Sequence, residues 1–334
     1  MNESVLSFKD KYFGDKNFYK MTLTIAIPII IQNLLTNLVS MADNIMVGQL
    51  GTNQMSGVAI INQLFFVFNL LVFGGMSGAG LFSAQYFGQK NHNGVRDVFR
   101  MKILIGITII AISLSVMIFL HEPLINMFLH EGSSSGNIQE TFNYAKNYLY
   151  IMVIGIAPFV ISNCYNTTLK ESGQTVVPMK AGVLAVVFDI VLNYIFIFGK
   201  LGFPAMGVVG AAIATVISRF VECGYLVIYT HIHSNDYPFI KHCYRTLKVP
   251  GSLVKKIIVT GAPLMLNEFL WAGGLTLQTQ ALSTKGLATV GGLNICNTIG
   301  NISNCIFVTM GTTIAIVVGQ LLGAGKMKEA KVTA

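Results

Sequence analysis

The chain has 334 residues, of which 53% are hydrophobic and only 11% charged, and its formal net charge is +8 at pH 7. Soluble domains carry about 25% charged residues, so this composition indicates a membrane protein. The basic residues lie between the apolar segments, so the positive charge does not indicate a nucleic-acid partner.

Eight long apolar segments follow one another along the chain. A helix that spans the bilayer needs about 20 predominantly apolar residues. Six segments lack Asp, Glu, Lys and Arg and two contain one acid each; in chain order they are 21–42, 55–89, 103–120, 147–169, 181–199, 201–218, 257–284 and 286–325. Because these runs are long and do not alternate, they predict an all-α polytopic membrane protein and not a barrel.

Lysine and arginine are distributed unequally between the two sides of these segments. If the N-terminus is inside, the cytoplasmic segments hold eighteen basic residues, Lys102 among them, and the external ones hold only three, Lys146, Lys200 and Lys285. Cytoplasmic loops of membrane proteins carry an excess of Lys and Arg. We therefore predict a multi-pass protein of the cell (plasma or inner) membrane, in contact with the lipid bilayer, with both termini cytoplasmic.

No pattern of an enzyme or of a resident metal site is present. The five cysteines form no CxxC pair, the six histidines have no ligand spacing, and no nucleophile lies in a recognisable motif with a base. The sequence predicts no cofactor, no resident metal and no enzymatic activity. A membrane-embedded transferase remains a rival class, which would need acidic or histidine motifs at the ends of spans.

An internal repeat appears when the chain is shifted by 235 residues. Pro28 then meets Pro263, Gln85 meets Gln320, and Gly88 meets Gly323. Transporter folds are commonly built from such repeats. The repeat predicts a complete first lobe of six spans (1–230), a cytoplasmic linker (231–256) and a second lobe with only two spans (257–334). Four spans would then be missing, which predicts a chain that does not transport alone unless a separate polypeptide supplies them.

Three carboxylates interrupt the apolar segments: Asp43, Asp189 and Glu268. A charge at the bilayer centre costs several kcal/mol, so such residues usually face an aqueous path or a proton relay. Asp189 and Asn193 are four residues apart and share one face of a helix. They predict either a site that binds H⁺ or Na⁺ or a structural hydrogen bond to a neighbouring helix.

Polar side chains also recur at helical spacing. Such residues either hold membrane helices together or line a shared wet cavity, and three stripes on different helices favour the cavity. In chain order they are Asn33, Thr36, Asn37 and Ser40; Asn163 and Asn166; and Asn294, Asn297 and Asn301. Directly after the sixth segment, within the predicted sixth span, Arg219 and Glu222 are three apart and predict a self-neutralising pair.

Four segments together resemble the MATE (multidrug and toxic compound extrusion) family of efflux antiporters. They are PIIIQNLLTNLVSMADNIMVGQLG from Pro28, AQYFGQKN after the second segment, DIVLNYIFIFGKLGFPAMGVVGAAIAT from Asp189, and GAPLMLNEFLW in the seventh segment. The resemblance implies a two-lobe helical bundle with alternating access, which exports small cationic or amphipathic drugs in exchange for H⁺ or Na⁺. It assigns Asp43, Asp189 and Asn193 to the cation site of the first lobe, with Na⁺ as one occupant, and Glu268 to the acid of the second.

Two further interpretations stay open at this point. One is a flippase of lipid-linked oligosaccharides from the same superfamily, whose cavity for an anionic pyrophosphate should be lined by arginine. The other is an inert gene fragment.

Overall fold

The structure is a computed structural model that describes residues 16–129, 137–283 and 287–333. Within these ranges all regular secondary structure is helical, which confirms the predicted all-α class. The helices are α1 (Lys16–Gly48), α2 (Thr52–Gly88), α3 (His92–Phe119), α4 (His121–Asn126), α5 (Ile138–Met152), α6 (Ile156–Glu171), α7 (Val176–Phe198), α8 (Val208–Ile232), α9 (Gly251–Ser283), α10 (Leu287–Gly323) and α11 (Met327–Thr333), with single 3-10 turns at Val153–Gly155 and Cys243–Arg245.

Seven helices of the described chain are long and apolar enough to cross a membrane. We number the spans 1 to 8 by helix: α1, α2, α3, α5 with α6, α7, α8, α9 and α10. The seven helices lie in spans 1 to 6 and, as Ser303–Gly323, in span 8. Span 7 is present as a helix of 33 residues but is not among them. The count of eight membrane crossings therefore stays a prediction.

The sixth apolar segment does not coincide with its helix. The prediction of 201–218 was wrong, because span 6 begins at Val208 and continues to Ile232. Leu201, Gly202 and Gly207 have positive φ angles of 56°, 86° and 57°, so this stretch turns instead of continuing as a helix. Arg219 and Glu222 lie in the middle of this helix, within span 6 as predicted.

Span 2 is the central helix of the bundle. It packs against spans 3 and 4 on one side and against spans 7 and 8 on the other. On the side of spans 3 and 4, the largest core cluster contains Phe65, Phe68, Phe99 and Tyr165, all at most 3% exposed. Spans 5 and 6 pack closely together, and span 1 packs along span 5.

The helices related by the predicted repeat make reciprocal contacts. Pro28 lies inside span 1 and Pro263 inside span 7, at matching positions. A Cβ atom on Gly88 would collide with the carbonyl oxygen of Gln320, and a Cβ atom on Gly323 would collide with the carbonyl oxygen of Gln85. A two-fold relation between two segments produces this kind of mutual contact.

The segment after span 6 is partly packed into the bundle. Tyr237, Phe239 and Ile240 are 4–6% exposed, and the Phe239 ring lies 5.6 Å from that of Phe99. Arg100 donates hydrogen bonds to the carbonyl oxygens of Cys243 (2.9 Å) and His242 (3.0 Å). Residues 237–243 are therefore held against span 3.

Candidate functional site

Asp43, Asp189 and Asn193 meet between spans 1 and 5. The Nδ2 atom of Asn193 lies 2.7 Å from Oδ1 of Asp43 and 3.1 Å from Oδ2 of Asp189, so one amide donates to both carboxylates. Asp189 is 4% exposed, Asn193 is 1% exposed, and Asp43 is half-buried. The i,i+4 spacing of Asp189 and Asn193 places both on the face of span 5 that span 1 covers.

Ser218 of span 6 completes this cluster and was missed by the sequence analysis. Its hydroxyl donates to Oδ1 of Asp189 at 3.1 Å. The carboxylates of Asp43 and Asp189 lie close together, since both accept a hydrogen bond from the same amide nitrogen of Asn193. Two ionised carboxylates at this separation repel each other, so a cation or a proton between them lowers the energy of the site. A serine within an apolar helix is common, and nothing in its spacing distinguishes Ser218.

Arg219, the next residue along span 6, is a positive charge that interacts electrostatically with Asp189. Its guanidinium carbon lies 5.4 Å from the ring centre of Phe65 and 5.0 Å from that of Phe159, and Nη1 donates to the carbonyl oxygen of Gly155 at 3.4 Å. Arg219 and Glu222 attract each other electrostatically, as expected for the predicted self-neutralising pair, although the described residues include no direct salt bridge between them. The two aromatic rings also hold the guanidinium by cation–π contacts.

The predicted polar stripes divide into different roles. Asn33 connects helices, because its Nδ2 donates to Oγ1 of Thr309 in span 8 at 2.9 Å. Thr36, Asn37 and Ser40 are exposed, and the two hydroxyls donate only to carbonyl oxygens of their own helix. These three residues therefore make no contact that would join helices.

The remaining stripe residues lie on spans 4 and 8. In span 4, Asn163 donates to the carbonyl oxygen of Phe159, while Oδ1 of Asn166 is buried without a hydrogen-bond partner. The side chains of Asn294, Asn297 and Asn301 lie outside the described residues, although their backbone belongs to span 8.

Glu268 lies apart from the cluster of Asp43 and Asp189. It is half-buried on span 7 and makes no hydrogen bond or ion pair with any described residue. The repeat makes Glu268 equivalent to Asn33 and Gly74 equivalent to Thr309. Asn33 donates to the hydroxyl of Thr309, and the residue that corresponds to Thr309 for Glu268 is Gly74. Glycine has no side chain that could bind the Glu268 carboxylate.

A second buried ionic group lies near the other end of the bundle and was also missed. Lys102 is fully buried, and its Nζ lies 2.6 Å from Oε2 of Glu171 and 3.0 and 3.2 Å from the hydroxyls of Thr167 and Thr168. The sequence analysis had counted Lys102 as a cytoplasmic surface charge because it precedes an apolar segment. Helix α3 begins ten residues earlier, at His92, and therefore carries Lys102 into the bundle.

The cluster can hold a small hard cation through oxygen atoms. The described residues contain no group of three or more His, Cys, Asp and Glu side chains that could hold a metal ion. Asp43 and Asp189 nevertheless present carboxylate oxygens to the same Asn193 amide, Ser218 contacts the other oxygen of Asp189, and Oδ1 of Asn193 is buried without a partner. This arrangement suits reversible binding of a proton or a monovalent cation better than permanent retention of a metal.

Seven long apolar helices around buried ionisable groups define a polytopic membrane protein. The sequence profile of the MatE family matches residues 28–195, which is half of the chain. The chain therefore belongs to the MATE family, as the resemblance in its motifs predicted. Members of this family are transporters and not enzymes, which confirms the predicted absence of enzymatic activity.

Curated relatives and solved structures agree with this assignment. The chain is 29% identical over 306 residues to the probable multidrug resistance protein NorM of Thermotoga maritima, covering 92% of this chain and 64% of the relative. It is 25% identical to the probable multidrug resistance protein YoeA of Bacillus subtilis, covering 91% and 65%. A solved multidrug resistance MATE family transporter in its outward-facing conformation superimposes with a TM-score of 0.80 at 23% identity over 94% of this chain. The chain thus spans about two thirds of the length of the proteins it matches.

Proposed function

We propose that this protein is a secondary active antiporter of the cell membrane that exports small cationic or amphipathic compounds in exchange for H⁺ or Na⁺. The observation that carries this proposal is the single amide of Asn193 shared by two acidic side chains from different spans. Placing two carboxylates within membrane helices costs free energy, and such residues in membrane proteins mark ion pathways. The names of the relatives, which refer to multidrug resistance, support the class of exported compound.

The coupling ion is proposed to bind where the Asn193 amide now bridges the carboxylates. A proton on Asp43 or Asp189 would remove the repulsion between them. A sodium ion would need oxygen ligands, and rotation of the amide would bring Oδ1 of Asn193 beside the carboxylates in place of Nδ2. Either ion replaces the amide donor as the group that the two carboxylates share.

Glu268 and the exposed polar residues of span 1 are proposed to face the path of the exported compound. Thr36, Asn37 and Ser40 make no hydrogen bond to another described helix. Glu268 has no hydrogen-bond or ion-pair partner among the described residues. An uncompensated carboxylate within a membrane helix favours contact with a positively charged compound or with water. Asn294, Asn297 and Asn301 recur at helical spacing on span 8, and we propose that they face the same path.

Efflux of a cationic dye tests the proposal. The complete gene is expressed in cells that lack their own drug exporters, beside Asp189→Asn and Asp43→Asn variants. An amide cannot carry a proton and binds Na⁺ without charge, so both variants should lose energised efflux while membrane expression is retained. Asp236→Asn, the same change at an exposed linker residue, is the matched control and should export the dye as the wild type does.

The outcomes separate the two coupling ions as well. Loss of efflux on collapse of the proton gradient indicates H⁺, and loss on removal of external Na⁺ indicates Na⁺. Wild-type efflux in the Asp189→Asn and Asp43→Asn variants would remove these residues from the mechanism, and no efflux from the wild type would contradict the proposed function.

A further inference from the structure

A crevice opens on the lipid-facing side of the bundle between spans 3 and 4. It encloses about 210 Å³, and its walls include Ile103, Ile107 and Ile110 of span 3 and Val160 and Ile161 of span 4. Ile107 is 52% exposed and Ile161 is 40% exposed, so the crevice opens outward and not toward the interior of the bundle. Its volume is below that of sites for drug-sized ligands, which are about 300–1,000 Å³.

Two tyrosine side chains close one end of the crevice. The hydroxyl of Tyr165, from span 4, hydrogen-bonds to the hydroxyl of Tyr244, from the linker. The ring of Tyr244 also stacks on His231, with centroids 5.8 Å apart and planes 15° apart. Because Arg100 fixes the carbonyl groups of residues 242 and 243, Tyr244 is held at this place although it is 53% exposed. Tyrosine is enriched where apolar and polar parts of a membrane meet.

Unpaired positive charge lies directly beyond the tyrosines. Arg245 and Lys248 follow Tyr244 by one and four residues, and both are exposed. Neither makes an ion pair with a described residue. The acidic residue of this linker, Asp236, lies at the other end of the segment, and Asp97 is already bound to Arg100 at 3.1 Å. With the predicted topology, these two cations face the cytoplasmic leaflet.

We propose that the crevice binds one acyl chain of an anionic phospholipid of the cytoplasmic leaflet, whose phosphate is held by Arg245 and Lys248 and whose polar–apolar boundary lies at Tyr165 and Tyr244. The combination of an apolar slot, a hydroxyl pair and two cations reproduces the order of groups along such a lipid. Anionic lipids of this leaflet are attracted by juxtamembrane basic residues. The site is independent of the proposed transport function.

Other occupants fit these observations less well. A second copy of the chain would have to bury about 800 Å² of surface on each partner, and this crevice is a narrow slot. A free phosphate or an acidic peptide would use the cations but would leave the apolar walls uncovered. The lipid is the occupant that uses both parts.

The test measures lipid binding by the purified chain in detergent, with native mass spectrometry as the readout. Phosphatidylglycerol and phosphatidylcholine with identical acyl chains are titrated in parallel, and glycerol phosphate serves as a headgroup without chains. One variant, Arg245→Gln with Lys248→Gln, removes the charges. A second, Ile107→Trp, fills the slot. Their controls are Lys328→Gln with Lys331→Gln, which removes two other exposed cytoplasmic charges, and Ile112→Trp, which enlarges another exposed residue of span 3.

The wild type should prefer phosphatidylglycerol and should not bind glycerol phosphate measurably. Removal of the two charges should weaken binding of phosphatidylglycerol about thirtyfold, since each basic residue near an anionic surface contributes about 1 kcal/mol. Ile107→Trp should abolish the tight site for both lipids, and both controls should bind as the wild type does.

Three results would overturn the proposal. Equal binding of the two lipids by the wild type would exclude headgroup recognition. Unchanged binding in Ile107→Trp would show that a basic surface, and not the crevice, holds the lipid. Equal losses in the variants and their controls would show that binding is unspecific. All substituted residues are exposed, and a thermal unfolding curve without added lipid checks that each variant is folded.

Discussion

The carbonyl oxygen of Gln320 occupies the space that a Cβ atom on Gly88 would need, and the same relation holds between Gln85 and Gly323. Spans 2 and 8 therefore cross with their backbones in contact at two places that the 235-residue repeat makes equivalent. Small residues allow membrane helices to approach this closely. The contact joins the first set of spans to the helices that follow the linker.

Substitution of either glycine by alanine should destabilise this crossing. We expect Gly88→Ala and Gly323→Ala each to lower the free energy of unfolding by about 1–3 kcal/mol, because a backbone carbonyl cannot move aside as a flexible side chain can. Denaturant titration in detergent measures the effect. Gly311→Ala, in span 8 with no atom within 4 Å of the added Cβ, should be neutral or slightly stabilising. Equal behaviour of all three variants would refute the backbone contact.

Removal of the amide that joins the two acids should also destabilise the bundle. Asn193→Ala deprives Asp43 and Asp189 of their common donor, and we expect a loss of about 1–3 kcal/mol. Asn163→Ala is the control, because that amide donates only to a carbonyl oxygen of its own helix, and its loss should be smaller. The same unfolding assay compares them, and an equal loss at both positions would argue against the bridge.

Breaking the buried ion pair of Lys102 and Glu171 should lower the free energy of unfolding far more than breaking an exposed pair. Lys102→Met removes the cation that is paired with the buried Glu171 carboxylate, which should cost about 3–5 kcal/mol. Lys326→Met breaks an exposed pair with Glu329, whose partners are 54% and 59% exposed, and should change stability by about 1 kcal/mol or less. Replacing both Lys102 and Glu171 by methionine should recover much of the loss. A double variant no more stable than Lys102→Met would show that the ion pair itself is not the cause.

Labelling of introduced cysteines should establish the predicted sidedness. In intact cells a membrane-impermeant maleimide should modify Lys200→Cys but not Lys241→Cys, and permeabilised cells should label both. The native Cys243, two residues away, serves as an internal control. Its burial raises the pKa of the thiol to about 11, so it should stay protonated and unreactive at pH 7. External labelling at position 241 would reverse the orientation.

The sequence revealed the acidic site because charge is so rare in apolar helices. Asp43 and Asp189 were identifiable because a charged side chain within the bilayer costs several kcal/mol, and Asn193 was identifiable because it lies four residues after Asp189. Ser218 could not be found this way, because a hydroxyl costs little within a helix and can bind its own backbone.

The errors have equally local causes. Lys102 was placed among the cytoplasmic charges because the apolar segment begins at residue 103. The helix itself begins earlier, at His92, and carries Lys102 into the bundle. The turn at 201–207 was read as part of span 6 because it is uncharged, although its backbone has positive φ angles at three positions. The cation–π contacts of Arg219 involve Phe65 and Phe159 from two other helices, and no spacing within span 6 predicts them.

The attachment of residues 237–243 to span 3 determines where the chain can bend. The predicted linker of 231–256 is fixed at residues 242 and 243 by Arg100 and is helical from Gly251 onward. Pro250 has a restricted φ angle and starts the helical hydrogen bonding, since Leu253 donates to its carbonyl oxygen at 2.9 Å. Tyr244 is hydrogen-bonded to Tyr165, and Val249 packs against the cluster that contains Val98 and Met101. Movement of span 7 relative to the helices before it would then have to be absorbed by residues 245–248. A hinge this short permits a rocking motion and does not permit the two parts to drift apart.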